Sequence, residues 1–362
     1  MIPVSQPFLP PKDEYDILIE SIWERKWLTN HGPYVQQLEG SLKEYLGLKS
    51  LHLVSNGTIA LHIAMKSLGI TGEVITTPFS FVATTTSIIW EKCHPVFVDI
   101  DPVTLCIDPR KIEAAITEKT EAILATHVFG VPCDVEKIEE IANKYHLKVI
   151  YDAAHAFGVS YKGRSLLSYG DISTLSFHAT KLFHTVEGGA VVNNGGEEKE
   201  QSIKLLRSFG FEGDEYIIAG INGKNSELHA AMGLCNLKYI GEIIRKRKEI
   251  TETYNSLLNG WYLHPSIPEN VEYNYAYYPI IFSTEEELLG TQKMLRENDV
   301  ETRRYFYPSL NRLPYLKSSN VCPISEDITK RILCLPLFSD LPLEEVERIA
   351  RLIMRKEAVG AY

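Results

Sequence analysis

Residues 148–193 read KVIYDAAHAFGVSYKGRSLLSYGDISTLSFHATKLFHTVEGGAVVN, and this stretch decides how the chain folds. Two short apolar runs within it predict buried strands that end at Asp152 and at Ser176. Lys181 follows five residues after Ser176, on the loop that leaves the second strand. A carboxylate at one strand end, a hydroxyl at another and a lysine on the next loop suit one class of ligand.

That class is pyridoxal phosphate (PLP), which a lysine holds as a Schiff base while an acidic group pairs with its pyridinium nitrogen. Asp152 would keep the proton on that nitrogen by ion pairing in a poorly solvated pocket. Lys181 would bind the cofactor and later move a proton as a free amine, and Ser176 would donate a hydrogen bond to the phosphate. Each residue alone also fits a structural role, with Asp152 as a helix cap and Lys181 as a solvated lysine. The prediction therefore depends on the ordered set.

The stretch resembles the DegT/StrS-type nucleotide-sugar aminotransferases. The matching segments are DAAHAFG (152–158), YGDISTLSFHATK (169–181) and EGGAVV (187–192), and the resemblance continues over nearly the whole chain. Some members of this superfamily carry histidine in place of the lysine and act as dehydratases. Lys181 at this position resembles the aminotransferases.

The resemblance implies the α/β architecture of fold type I aminotransferases. This architecture is a mainly parallel seven-stranded sheet with helices on both faces, followed by a smaller α+β domain. The alternation of strands and helices along the chain also favours a mainly parallel sheet. With 362 residues, the chain is long enough for two domains, which we place at 1–245 for the large PLP-binding domain and 246–362 for the small one.

Further cofactor contacts are expected at two places near the N-terminal part of the sheet. Gly57 and Thr58 open a helix directly after a short strand, where free N–H groups and the helix dipole favour phosphate. An ordinary helix cap explains the same pattern, but the family resemblance implies phosphate binding. Phe81 fits either core packing or stacking on a flat ring, and the resemblance favours stacking on PLP.

His155 follows Asp152 by three residues, and the resemblance implies that it approaches the 3-hydroxyl oxygen of PLP. A histidine bonded to the backbone is the alternative. On the substrate side, the candidates come from the loop WLTNHGP (27–33), from the segment after Lys181, and from the run ETRRYFYPSL (301–310). The predicted substrate-binding residues are Thr29, His184, Glu187, Arg304 and Tyr307.

The segment INGKNSELHAAMG (221–233) resembles the family's loop that reaches the PLP phosphate of the neighbouring subunit. The family's Asn-x-Arg pattern reads Asn222-Gly223-Lys224 here, so lysine replaces the commoner arginine. Lysine pairs with phosphate as a point charge and lacks the bidentate fork. Asn225 is a further candidate for the same contact. The resemblance thus implies a homodimer with shared active sites.

Composition disfavours several other functions. A net charge of −10 without any Lys/Arg-rich run disfavours nucleic-acid binding, and no apolar run is long enough to predict a membrane span. Six scattered cysteines without a C-x-x-C pair predict reduced thiols in a cytoplasmic enzyme and no zinc site. Asp99 and Asp101 read as turn residues, so no metal is expected.

The predicted reaction is a ping-pong transamination from glutamate to the ketone of a nucleotide-sugar. Within the family, the N-terminal segment and the segments around Thr29 and Lys181 most resemble enzymes that act on dTDP-4-keto-6-deoxyglucose and form dTDP-4-amino-4,6-dideoxyglucose. A 3-keto nucleotide-sugar remains an alternative substrate, and a non-catalytic PLP-binding regulator remains an alternative function. A nicotinamide-dependent oxidoreductase is disfavoured because no G-x-G-x-x-G turn follows an early strand.

Overall fold

The computed structural model describes residues 1–258, 260–316 and 320–360. Its helices are α1 (Lys12–Arg25), α2 (Pro33–Leu46), α3 (Gly57–Ser67), α4 (Val82–Trp90), α5 (Val135–Tyr145), α6 (Glu197–Leu206), α7 (Glu227–Leu237), α8 (Ile240–Leu258), α9 (Glu285–Glu297), α10 (Pro323–Arg331) and α11 (Leu343–Gly360). Its strands are β1 (His52–Val54), β2 (Glu73–Thr76), β3 (His94–Phe97), β4 (Thr120–Thr126), β5 (Lys148–Asp152), β6 (Ser160–Tyr161), β7 (Arg164–Ser165), β8 (Ile172–Ser176), β9 (Gly189–Asn193), β10 (Phe211–Glu212), β11 (Glu215–Tyr216), β12 (Val271–Glu272), β13 (Tyr278–Ile281) and β14 (Ile332–Leu335).

A seven-stranded sheet forms the centre of the fold, in the order β1-β9-β8-β5-β4-β2-β3. The five strands from β8 to β3 pair in parallel, whereas β9 is antiparallel to both β8 and β1. The prediction of a mainly parallel seven-stranded sheet is confirmed. Because parallel strands end at the same edge, Thr126, Asp152 and Ser176 close β4, β5 and β8 side by side.

Strand β5 shows why its sequence reads as an unbroken apolar run. Successive side chains of a strand point to opposite faces of the sheet. Val149 and Tyr151 join the larger apolar cluster, which includes residues of α2, α5 and α7, whereas Ile150 joins the cluster that includes residues of α3 and α6. Both faces of the sheet are therefore covered by helices, as expected for a parallel sheet.

A second apolar core lies in the C-terminal part of the chain, between α8, α9, α11 and the pair β13–β14. Helix α8 contributes Ile240 and Ile243 to the first core and Tyr254 and Leu258 to the second, so one helix runs between the two cores. Ile2 packs against the second core and pairs with Val300. The predicted domain boundary at residue 245 falls within α8 and stays a prediction.

All six cysteines are buried and unpaired. Within the described ranges, no helix combines the length and the apolar character that crossing a bilayer requires.

Candidate active site

A cavity of about 470 Å³ opens at the carboxyl edge of the central sheet. It lies where the resemblance and the strand ends predicted the cofactor site, between the ends of β5 and β8 and the beginning of α3. Tyr277, Arg303, Tyr305 and Phe306 form part of its wall from the C-terminal half of the chain. The predicted site residues that line it are Gly57, Thr58, Phe81, Asp152, His155, Ser176, Lys181 and Glu187.

Asp152 is the buried carboxyl group of this cavity. Its Oδ2 atom accepts a hydrogen bond of 2.7 Å from the Thr84 hydroxyl, and its Oδ1 atom accepts one of 3.1 Å from the backbone N–H of Ala154. Burial raises the pKa of Asp152, whereas these two hydrogen bonds and the positive charge of Lys181 act in the opposite direction. The hydrogen bonds therefore favour the ionised form that a pyridinium partner requires.

Lys181 lies on the loop after β8, where its backbone N–H donates to the carbonyl of His178 at 2.8 Å. Burial lowers the pKa of the Lys181 amine to about 8. The charge of Asp152 raises this pKa, and the charge of Arg303 lowers it. The amine therefore loses its proton at a much lower pH than a solvated lysine, which favours the free amine that a Schiff-base nucleophile requires.

His155 is buried in an aromatic wall of the cavity, with its ring stacked on Phe306 at a centroid distance of 5.7 Å. Its Nδ1 atom accepts a hydrogen bond of 3.1 Å from the backbone N–H of Phe129. Burial holds the pKa of His155 well below its usual value, with a smaller contribution from the charge of Lys181. The ring is therefore neutral, with its proton on Nε2. His155 is bonded to the backbone and also lines the cavity, so the structure agrees with both of the predicted alternatives.

The N-terminus of α3 supplies hydrogen-bond donors at one end of the cavity. Asn56 caps the helix, with its side chain accepting from Ile59 N–H at 2.9 Å and its carbonyl from Ala60 N–H. These bonds leave the N–H groups of Gly57 and Thr58 without a partner in the described part of the chain. A Cβ atom on Gly57 would lie 2.9 Å from the Cβ of Ser176, so glycine permits the close approach of the helix to β8.

The residues present fit PLP. Two backbone N–H groups and the Ser176 hydroxyl are suitable hydrogen-bond donors for a phosphate. The Asp152 carboxylate suits a pyridinium nitrogen as an ion-pair partner, and the Lys181 amine can form a Schiff base with an aldehyde. The Phe81 side chain is half exposed beside the cavity, which leaves its ring free to stack on a planar ligand.

The structure places His184 outside this cavity, and its predicted role on the substrate side stays a prediction. The His184 ring is buried, and its Nε2 atom donates to the carbonyl of Phe8 at 2.7 Å. Its Nδ1 atom accepts from Val186 N–H at 3.2 Å. The side chain thus joins the N-terminal segment to the loop after Lys181.

Arg304 and Tyr307 also lie outside the cavity of the single chain, and their predicted roles toward the substrate stay predictions. Arg304 donates to Glu285 at 2.6 Å and stacks 3.8 Å above the ring of Tyr307. The adjacent Arg303 lines the cavity instead and forms no ion pair within the described residues. Its guanidinium lies 4.8 Å from the ring centroid of Tyr305. The run 301–310 therefore faces the site, but through the other arginine.

Thr29 lies in an exposed loop away from the cavity of the single chain, where its carbonyl accepts from the Trp27 indole at 2.6 Å. Of the residues predicted to reach a partner subunit, Asn222 and Lys224 are bonded to each other at 2.8 Å. Asn225 is buried and uses its side chain on Val54 O and Ser226 N. The roles of these residues toward a partner stay predictions.

The sequence profile of the DegT/DnrJ/EryC1/StrS aminotransferase family matches residues 12–354. The chain belongs to this family. The predicted family and its fold are thereby confirmed. As in the fold expected for this aminotransferase family, the site lies at the carboxyl edge of the large sheet.

Individual members of the family are similar over the whole chain. The chain is 43% identical to the dTDP-4-amino-4,6-dideoxy-D-glucose transaminase of Escherichia coli, over 98% of both sequences. The structure of DesI in the presence of its TDP-sugar product superposes with a TM-score of 0.93 at 30% identity, covering 99% of this chain and 95% of that one. NtdA from Bacillus subtilis with bound cofactor PMP superposes with a TM-score of 0.87 at 31% identity, covering 97% and 85%.

Sequence reasoning missed Tyr277, Arg303 and Thr84 as residues of this aminotransferase site. Arg303 carried a signal, since the run around it was recognised, but its neighbour Arg304 was chosen. Tyr277 and Thr84 carried none, because an aromatic in an apolar run and a threonine in a helix are ordinary structural residues.

Proposed function

We propose that this family member uses PLP to transfer the amino group of glutamate to C4 of dTDP-4-keto-6-deoxyglucose, forming dTDP-4-amino-4,6-dideoxyglucose. The observation that carries the chemistry is the amine of Lys181, with a pKa lowered to about 8, in one cavity with the buried carboxyl of Asp152. The similarity to the Escherichia coli transaminase supports the choice of sugar. The six buried free thiols suit a reducing cytoplasm.

PLP supplies, when bound, an electron sink for the charge that develops at the carbon bearing the amine. Asp152 would pair with the ring nitrogen and keep it protonated. The Nε2–H group of His155 would donate toward the ring oxygen. The N–H groups of Gly57 and Thr58 and the hydroxyl of Ser176 would hold the phosphate. Lys181 lines the same cavity as these groups.

Lys181 carries the proton in both half-reactions. An amine that loses its proton near pH 8 is matched to this task, because proton transfer is most efficient when the pKa lies near the working pH. It takes the proton from the carbon of the donor amino acid and returns one to the carbon of the sugar. Arg303 helps by disfavouring a second positive charge nearby.

Arg303 also provides the binding group for a substrate anion. Among the described residues that line the cavity, the arginine and lysine side chains are those of Arg303 and Lys181. Arg303 has no acidic partner there. Both glutamate and a nucleotide-sugar carry anionic groups that a guanidinium binds through two hydrogen bonds. Glu187 is half exposed and lines the same cavity. Its Oε1 atom lies 3.6 Å from Nε2 of His178, which adds a further polar pair to the cavity wall.

The working enzyme is a homodimer in this proposal. Asn222 is exposed and Lys224 partly so, whereas Asn225 is held by its own chain. Asn222 and Lys224 are therefore the residues that reach the phosphate site of the partner. Thr29, on its exposed loop, is assigned to the mouth of the same shared site.

A product assay tests the proposal. Protein, PLP, glutamate and dTDP-4-keto-6-deoxyglucose are incubated, and the position of the new amine is read by NMR and mass spectrometry. An amine at C4 is expected. Turnover only with a 3-keto isomer would overturn the substrate and keep the reaction. Loss of the cofactor's yellow absorbance on adding glutamate alone, absent in Lys181→Ala, tests the donor separately.

A further inference from the structure

Three buried hydroxyl groups form a row that ends on Asp152, and two of them, those of Ser80 and Thr126, belong to residues that line the cavity. The Thr84 hydroxyl lies 2.7 Å from Oδ2 of Asp152, the Ser80 hydroxyl lies 2.7 Å from that of Thr84, and the Thr126 hydroxyl lies 3.0 Å from that of Ser80. All three side chains are almost inaccessible to solvent. They come from different elements: Thr126 ends β4, Ser80 precedes α4, and Thr84 lies in the first turn of α4.

Counting protons fixes the direction of every bond in this row. Each hydroxyl has one proton to donate. An ionised Asp152 only accepts, so Thr84 donates to it and must accept from Ser80. Ser80 has then used its own proton, so Thr126 donates to Ser80. With Asp152 ionised, the row is therefore a one-way chain of donors that ends on the carboxylate.

We propose that Thr126, Ser80 and Thr84 act as positioning residues that hold Asp152 ionised and keep its carboxylate turned toward the cofactor ring nitrogen. The proposal rests on the proposed use of PLP. Hydrogen bonds in a chain polarise one another and strengthen the last one, and a hydroxyl that donates to a carboxylate forms one of the stronger bonds in proteins.

The surroundings of Asp152 explain why its ionised form needs the hydrogen bonds of this hydroxyl chain. Burial disfavours its charged form, and Lys181, whose positive charge favours that form, is only partly protonated around pH 8. His155, which lines the same cavity, is neutral. The support from Lys181 therefore fades as the pH rises, whereas the hydroxyl chain is independent of pH.

The experiment measures Asp152 itself in the cofactor-free protein. Protein labelled with ¹³C at the aspartate carboxyl carbons is titrated by NMR, and the Asp152 signal is assigned by its loss in Asp152→Asn. Thr84→Val keeps the shape of the side chain and removes the donor. We expect it to raise the pKa of Asp152 by about one, the size of one charged hydrogen bond, and Thr84→Ser to restore the wild-type value. Ser80→Ala should raise it by less.

Thr85→Val is the matched control. Thr85 is the next residue of the same helix, equally buried, and its hydroxyl has no hydrogen-bond partner in the described part of the chain. The same substitution there should leave the pKa of Asp152 unchanged. A purely structural role of Thr84 predicts that both valine variants behave alike, and that result would overturn the proposal.

A second readout uses the loaded protein. The chemical shift of ¹⁵N in the ring of bound PLP reports whether that nitrogen is protonated. Wild type should keep the proton to higher pH than Thr84→Val, and Thr84→Ser should behave as wild type. An unchanged titration in Thr84→Val would count against the chain. Neither readout needs a sugar or an amino acid, so a failed product assay would leave this test intact.

Discussion

Burial lowers the pKa of Lys181 most, and two charges of opposite sign adjust this pKa in directions that can be separated. Asp152 raises the pKa of this amine and Arg303 lowers it, around a value of about 8. Folding therefore leaves the amine with fewer protons than a solvated lysine between pH 8 and 10, and the cofactor-free protein should gain stability as the pH rises through that range.

This balance predicts a pH dependence in the absence of PLP. Reductive alkylation of the Lys181 amine should rise with a midpoint near pH 8, because only the unprotonated amine reacts. Asp152→Asn should move the midpoint to lower pH, and Arg303→Gln should move it to higher pH. Mass spectrometry of the peptide that contains Lys181 gives the rates. Shifts in the same direction for both variants would contradict this electrostatic balance.

The adjacent arginines provide a paired test of substrate binding. Arg303→Gln removes the unpaired guanidinium of the cavity and should weaken binding of the anionic substrate by about 10- to 100-fold, the loss of a charged hydrogen-bond pair. Measuring the two half-reactions separately shows which substrate is affected. The kinetics should tell whether the carboxylate of glutamate or the anionic part of the nucleotide-sugar lies there.

Arg304→Gln is the control for this pair, since it removes the same charge one residue away. Arg304 is bonded to Glu285 and stacked on Tyr307 outside the cavity. Its loss should lower the thermal midpoint slightly and leave substrate binding unchanged. Equal kinetic effects of the two variants would show that general charge, and not contact in the cavity, is responsible.

At the scale of elements, helix α2 has its N-terminal cap supplied from far along the chain. Its own cap residue is Gly32, which has no side chain for the task. The buried Glu227 accepts hydrogen bonds of 2.9 Å from the N–H groups of Tyr34 and Val35 instead. A carboxylate at this place also interacts favourably with the helix dipole. Because Glu227 N–H donates to Leu28 O, the same residue holds the loop that carries Thr29.

Replacing Glu227 by glutamine should therefore destabilise the protein by about 2–3 kcal/mol, since an amide donor then faces a backbone donor in a buried place. The thermal midpoint should fall by several degrees. Glu24→Gln, on the exposed face of α1, is the control and should change it little. A midpoint equal to wild type in Glu227→Gln would show that the cap contributes nothing.

For the whole molecule, the proposed shared site predicts that two inactive variants restore each other. Lys181→Ala removes the amine, and Lys224→Ala removes the group assigned to the partner's phosphate. In a mixed dimer, one of the two sites then has both wild-type residues. Random reassociation should give about a quarter of wild-type activity, because half of the dimers are mixed and half of their sites are intact.

Sedimentation of wild type checks the dimer directly. A control mixture of Lys181→Ala with Asp152→Asn should stay inactive, since both residues belong to the same chain's half of the site. Activity in that control, or none in the first mixture, would contradict the division of the site between subunits.

The sequence predicts the large sheet and the cofactor end of the cavity because these depend on local patterns. Asp152, Ser176 and Lys181 are placed by strand ends and by the loop between them, and strand ends are visible as the limits of apolar runs. Gly57 and Thr58 are placed by a strand that leads into a helix. Such residues meet automatically once parallel strands share an edge.

The substrate side could not be predicted in the same way. Arg303 faces the cavity because its backbone pairs with Cys334, a contact between distant segments that decides which of two neighbouring arginines points inward. His184 does not line the cavity because its ring bonds the carbonyl of Phe8, a residue far away in the sequence. Both outcomes depend on tertiary pairing, which a local pattern does not encode.

The pairing of Ile2 between Asp299 and Glu301 has a consequence for biosynthesis. The N–H of Ile2 donates to Asp299 O at 2.7 Å, its carbonyl accepts from Glu301 N–H at 2.8 Å, and Val4 accepts from Leu337 N–H. Residues 2–4 leave the ribosome long before residues 299–337, a delay of about 15–60 seconds at the usual rate of translation. Residues 2–4 therefore stay without these hydrogen-bond partners until residues 299–337 have been synthesised. In a nascent chain stalled before residue 299, the partners do not exist yet.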